Sequence, residues 1–184
     1  MTANNLSVGM WAHPAAGSAA VDAIEVFLER RSPTNLHIRY EAAGRTADLA
    51  IPAPAGPLRA NDLWQTTCFE LFLRAKGQSG YLEFNFSPSG QWAAYEFRAY
   101  RDGMVQARIP ADPIIGTLVD PGRLAVDVLI SLNLPEEAYI LNLAAVMEER
   151  GVGKSYWSHW HSGESPDFHH PSCFVLELPP PSAA

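Results

Sequence analysis

Cys68-Phe69-Glu70-Leu71-Phe72-Leu73 and Tyr81-Leu82-Glu83-Phe84-Asn85-Phe86 decide the fold. In the first stretch Phe69, Leu71 and Leu73 alternate with Cys68, Glu70 and Phe72. In the second, Leu82, Phe84 and Phe86 alternate with Tyr81, Glu83 and Asn85. Successive side chains of an extended chain point to opposite faces, so a period of two sets each apolar series against a core and its partners on the far side. Lys76-Gly77 between the stretches is a turn signal, as two neighbouring strands need.

The same alternation spreads outward in both directions. Leu36, Ile38 and Tyr40 alternate with His37, Arg39 and Glu41, and Leu124, Val126, Val128, Ile130 and Leu132 alternate with Ala125, Asp127, Leu129 and Ser131. Tyr95, Phe97 and Ala99 are expected to face the core, with Glu96, Arg98 and Tyr100 opposite. Tyr139–Glu149 and Cys173–Leu178 complete the series of expected strands. In the segment from Val21, the series Val21, Ile24, Phe27, Leu28 suits a helix, whereas Ile24, Val26, Leu28 suits a strand; the β surroundings favour the strand.

Fifteen Pro and 13 Gly divide the chain into short pieces, with turn signals at Pro88-Ser89-Gly90, Asp102-Gly103 and Pro121-Gly122. Ile51–Pro57 is expected to be a loop, since three prolines fix φ and remove donors there. The Pro179-Pro180-Pro181 run reads as a frayed end. Seven or more short strands without a repeat imply a sandwich or barrel, and 184 residues suit a single domain over residues 1–184.

The chain is 47% hydrophobic and 18% charged, a globular composition. Thirteen Lys and Arg against 20 Asp and Glu give a net charge of −7. Such a chain, without basic clusters, lacks what a phosphate backbone or an anionic lipid surface attracts, so neither nucleic acid nor membrane is an expected partner. No apolar run approaches the roughly 20 residues of a membrane span. No secretory signal is visible at Met1–Leu6, which makes the cytoplasm the expected location. Cys68 and Cys173 then read as reduced, half-buried thiols rather than a disulfide.

The candidates for function lie opposite the core. Glu70, Glu83, Asn85, Glu96 and Arg98 would form one polar patch if their strands are neighbours. An ordinary solvated face with weak ion pairs is the plain alternative. The functional one is a surface for a polyhydroxylated ligand: carboxylates and amides accept from hydroxyls, Arg donates, and aromatic faces cover the apolar C–H side of a sugar ring. Trp64 stands just before a strand, and Trp157 and Trp160 flank His159. Paired carboxylates also suit a glycosidase. His159, His161, Asp167 and His169 are candidate metal ligands near the C-terminus, with turn-capping as their alternative role. A haem axial pair of a His with Met10, Met104 or Met147 is conceivable, although no spacing selects one. GxSxG, Walker, HExxH and CxxC patterns are absent.

Two blocks carry a family resemblance. One runs Leu63-Trp64-Gln65-Thr66-Thr67 into the Cys68–Leu73 strand, then Tyr81–Phe86 and Ser87-Pro88-Ser89-Gly90. The other is Ser155-Tyr156-Trp157-Ser158-His159-Trp160, Pro166-Asp167-Phe168-His169 and the strand from Phe174 to Leu178. Together they resemble the DOMON-like, carbohydrate-binding module family 9-like superfamily, with small bacterial DOMON-like proteins as the nearest branch. The resemblance implies a jelly-roll-like antiparallel β-sandwich, a strand at Val21, and a sugar or a haem as ligand. It pairs Trp64 and Trp157 about a sugar, with Glu70, Asn85 and Arg98 as polar partners; Glu83 and His159 join them as candidates. It also allows a structural calcium with no assigned ligands, or a haem with His169 as an axial ligand. The leading expectation is a non-catalytic domain binding a carbohydrate or similar polar small molecule. A haem-binding electron-transfer domain and a protein-interaction domain are the alternatives.

Overall fold

The computed structural model describes residues 5–134 and 138–178. Among them are twelve strands: β1 (Asn5–Ala12), β2 (Val21–Ser32), β3 (Asn35–Gly44), β4 (Cys68–Ala75), β5 (Tyr81–Phe86), β6 (Trp92–Phe97), β7 (Val105–Gln106), β8 (Ile114–Asp120), β9 (Arg123–Ser131), β10 (Tyr139–Glu149), β11 (Gly153–Ser158) and β12 (Leu176–Glu177). Their order is β7-β6-β5-β4-β10-β11-β1-β2-β3-β9-β8, with β12 also on β10, and every pairing is antiparallel. The Val21 segment is a strand, and residues 51–57 are a loop, both as expected. The Pro179–Pro181 run and the first four residues lie outside the described residues.

This continuous sheet curls into a sandwich, which is the expected fold class. β1 makes the curl possible, because Asn5–Met10 pair with β2 while Trp11 and Ala12 pair with β11. Phe69, Leu71, Leu73, Phe84 and Phe86 from one layer meet Ile24, Val26, Leu28, Ile38, Tyr40, Val126 and Val128 from the other in one core. Each such side chain contributes about 1.5–3 kcal/mol by leaving water. Tyr40 fastens the layers together: its hydroxyl donates to the Glu70 carbonyl at 3.0 Å, and its ring lies 5.0 Å from that of Phe69.

One strand is turned over relative to expectation. In β6 Trp92 and Ala94 lie opposite Phe86 and Phe84 on the core face, whereas Tyr95 and Phe97 lie opposite Glu83 and Tyr81 on the far face. Both faces of β6 are covered, so an apolar pattern cannot tell them apart. The second cover is the C-terminal segment. Phe168 and Phe174 pack there against Phe72, Tyr81, Phe97 and Val146 in a separate apolar cluster. The strand expected at Cys173–Leu178 shrinks to Leu176–Glu177, since Pro171–Cys173 form a 3₁₀ turn.

Candidate functional site

Register builds a floor on the far face of β4, β5, β6, β10 and β11. Glu70 lies opposite Asn85 on one side and Ala144 on the other, and Glu83 lies between Phe72 and Tyr95. Period two therefore gathers Glu70, Glu83, Asn85 and Tyr95 on adjacent strands. Small Ala144 beside Glu70 leaves room above the sheet. The resulting hollow has a volume of about 650 Å³. Glu70 and Glu83 line its base; Tyr95, Phe97, Tyr156 and Phe168 supply aromatic walls; Trp64, Asp62 and Arg101 come from loops at its rim. Asp62 (φ 61°) and Arg101 (φ 52°) are the two non-glycine residues with left-handed backbone among the described residues. Strained backbone of this kind persists where surroundings hold it in place, commonly at ligand sites.

The base is electrostatically unusual. Glu70 is 3% exposed, and no hydrogen bond reaches its carboxyl group among the described residues. Burial, followed by repulsion from Glu83, pushes it well above the ordinary carboxyl range, against the pull of Arg101. Burial also raises Glu83, opposed by a 2.6 Å hydrogen bond from Asn85 Nδ2 and by Arg101. His169 falls to about 4, first through burial and then through the charge of Arg101.

Tyr81 Oη accepts the Arg101 backbone N–H at 3.2 Å and is hydrogen-bonded to His169 Nδ1 at 2.7 Å. The other ring nitrogen, Nε2, lies 3.7 Å from Glu83 Oε2. Arg101 is occupied by Asp167 at 2.8 Å, and Asp167 also accepts from Tyr100 at 2.6 Å.

Trp64, Glu70 and Glu83 thus meet at one hollow, with Asn85 directly behind Glu83. Arg98 does not join them: it lies outside on the exposed β6–β7 connection, paired with Asp102 at 2.8 Å. Glu96 shares that misplacement, being on the other face of β6. Trp157 is a clear correction. It lies opposite Ala145 on the core face, is 5% exposed, and donates from Nε1 to Ser155 Oγ at 2.9 Å. Neighbours in a strand face opposite ways, so it is Tyr156 that reaches the hollow. Trp160 is exposed and is not part of the lining.

The histidines disperse. His159 Nδ1 lies 3.0 Å from the Gly9 carbonyl and His161 Nε2 lies 2.7 Å from that of Trp11, so both extend the contact with β1. Asp167 and His169 belong to the network at the hollow. Among the described residues no three His, Cys, Asp or Glu side chains gather as a metal cage needs. A haem fits the hollow poorly as well. Its apolar plane would cover two buried carboxyl groups, and the one histidine in the lining has Nδ1 against Tyr81 and Nε2 toward Glu83. Both cysteines are free and fully buried rather than half-buried.

Sequence reasoning passed over Asp62, Arg101 and Tyr156. Alternation from Trp157 already points to Tyr156, whereas Asp62 and Arg101 sit in irregular loops that carry no periodic signal.

No family profile and no curated protein sequence matches the chain. Solved structures do share its fold. A candidate carbohydrate-binding protein of Bacteroides uniformis is 13% identical with a TM-score of 0.64, covering 92% of this chain and 86% of that one. A carbohydrate-binding module of family 9 from Caldicellulosiruptor kristjanssonii, solved with cellotriose, is 10% identical with a TM-score of 0.54, covering 96% of this chain and 84% of that one. At such identity the likeness is one of fold. It agrees with the resemblance to family 9 modules and does not extend to the DOMON branch.

Proposed function

We propose that this domain is a non-catalytic binding module for a carbohydrate, taken up in the hollow over β4, β5 and β6. The observation that carries the reading is the convergence of aromatic walls and half-exposed Trp64 on two buried acids within about 650 Å³. That volume falls within the roughly 300–1,000 Å³ usual for small-ligand sites. A sugar ring matches the chemistry: its C–H faces lie against Tyr95, Tyr156 or Trp64, while its hydroxyls meet acceptors and donors at the base. Burial favours the protonated form of Glu70, which can donate as well as accept, and Glu83 accepts. The family 9 structure solved with cellotriose has the same fold, which supports the reading without assigning a ligand here.

Calorimetric titration with mono- and disaccharides, followed in parallel by tryptophan fluorescence, tests this. At least one sugar should bind, and Trp64→Ala should weaken it about tenfold or more, equivalent to about 1.4 kcal/mol. Silence across a broad panel of sugars would overturn the reading.

One observation favours a second reading. A buried carboxyl that holds its proton beside a second carboxyl is also the equipment of glycoside hydrolysis. Turnover of aryl glycosides that is lost in Glu70→Gln would establish it, and no turnover would return the site to binding alone.

A further inference from the structure

We infer that the hollow selects an amino sugar, with the ligand's ammonium seated between Glu70 and Glu83. This rests on the carbohydrate-binding reading and gives it a ligand class. A buried carboxyl without a donor is a costly thing to leave in a folded protein, and such groups are normally paired. Glu70 is 97% removed from solvent by its 3% exposure, lines the hollow, and receives no hydrogen bond from the described residues. Glu83 lines the same base, accepts from Asn85 alone among the described residues and, at longer range, faces His169.

Among the described residues no Lys or Arg forms an ion pair with either acid. Arg101, the guanidinium in the lining, is held by Asp167 at 2.8 Å, and His169 is kept uncharged. Asp62 adds a third carboxylate at the rim. The other titratable groups facing Glu70 are Cys68 and Tyr40, both fully buried and neutral. The hollow therefore gathers three carboxyl groups within low-dielectric walls, where an entering cation favours their ionised forms.

The walls act in the same direction. Ring faces carry negative charge and attract ammonium groups, and Lys154 Nζ already lies 5.8 Å from the centre of the Trp64 ring. An ammonium offers three N–H donors to the two carboxyls. A neutral hexose supplies hydroxyl donors but no charge, and N-acetylation removes the charge and adds bulk. A bare amine would fill the base and leave the aromatic walls and Asp62 without the hydroxyls and C–H faces of a ring. Seating an ammonium favours the ionised form of both acids, so a proton held on the pair leaves as the ligand enters.

The test is calorimetry on the whole chain with glucosamine and galactosamine, the corresponding neutral and N-acetylated hexoses, and cyclohexylamine. It is run near pH ~6.5, below the roughly 7.7–8.0 of an ordinary α-amino group. An amino sugar should bind at least about tenfold tighter than its neutral and N-acetylated counterparts and than cyclohexylamine. Buffers of different ionisation heat should reveal proton release in the native protein, which requires no variant. Glu70→Gln, checked for native folding by its melting transition, should abolish the preference for an amino sugar over its neutral counterpart. Equal or tighter binding of a neutral hexose, still dependent on Trp64, would overturn the ammonium site and leave the carbohydrate reading standing. Equal binding of cyclohexylamine would overturn the sugar part. A preference that survives Glu70→Gln would overturn the role of that residue. Absence of binding by all these compounds and by the wider sugar panel would remove both readings together.

Discussion

Asn85 Nδ2 donates to Glu83 Oε1 at 2.6 Å, from two residues along the same strand and on the same face. Asn85 is 1% exposed, so it is a fixed support for the acid rather than a surface contact. Asn85→Ala removes a buried hydrogen bond to an ionisable group, with an expected loss of about 1.5–3 kcal/mol. The Glu83 carboxyl should then titrate still higher, because the Asn85 bond is what draws it down. Urea unfolding measures the first effect, and carboxyl-resolved NMR titration measures the second.

The tryptophans divide cleanly by role. Trp64 is 47% exposed, so Trp64→Ala should move stability within about 0.5 kcal/mol while it weakens ligand binding. Trp157→Ala instead opens the core and should cost about 3–5 kcal/mol. Denaturant melts and sugar titrations on both variants should give opposite patterns. A destabilised Trp64→Ala would contradict its place at the rim.

Acid stability should carry the mark of His169. Its folded value of about 4 lies below its ordinary 6.5, so in that interval the unfolded chain holds a proton that the folded one lacks. Stability should thus fall as pH drops from about 6.5 toward 4, and His169→Gln should flatten that limb. Unfolding curves taken at several pH values across this window check the slope.

The buried acids act in the opposite sense. Glu70 titrates well above its ordinary value, so the folded protein keeps a proton that the unfolded chain has already lost. Stability from this site is present at low pH and declines as pH rises through the raised value. Glu70→Gln removes that decline and should raise stability at neutral and alkaline pH, with little effect near pH ~4 where both forms are protonated. Comparing wild type and variant at two pH values decides it.

Cys68 and Cys173 should be inert to aromatic disulfide reagents in the native state and should both react on unfolding. Their thiols are buried and pushed up by that burial. Prompt reaction of either thiol in the folded protein would contradict its position.

The parts legible in sequence are those where one face is wet or polar and the other is dry. Glu70, Glu83 and Asn85 stood out because acids and an amide interrupt otherwise apolar strands, and alternation then fixed their side. β6 misled because Tyr95 and Phe97 look like core residues when their cover is the C-terminal segment. β8 gave no signal, since Ile114, Leu118 and Val119 are exposed on an edge. Arg101 and Asp62 reach the hollow through single left-handed residues in loops, a placement that contacts across the chain determine and local pattern does not.

β1 is shared by both layers of the sandwich. Excising Asn5–Ala12 would therefore strip hydrogen-bonding partners from β2 and β11 at once, leaving two raw margins where a terminal strand usually leaves one. Such a truncated chain should self-associate through those margins instead of persisting as a slightly smaller version of the same fold.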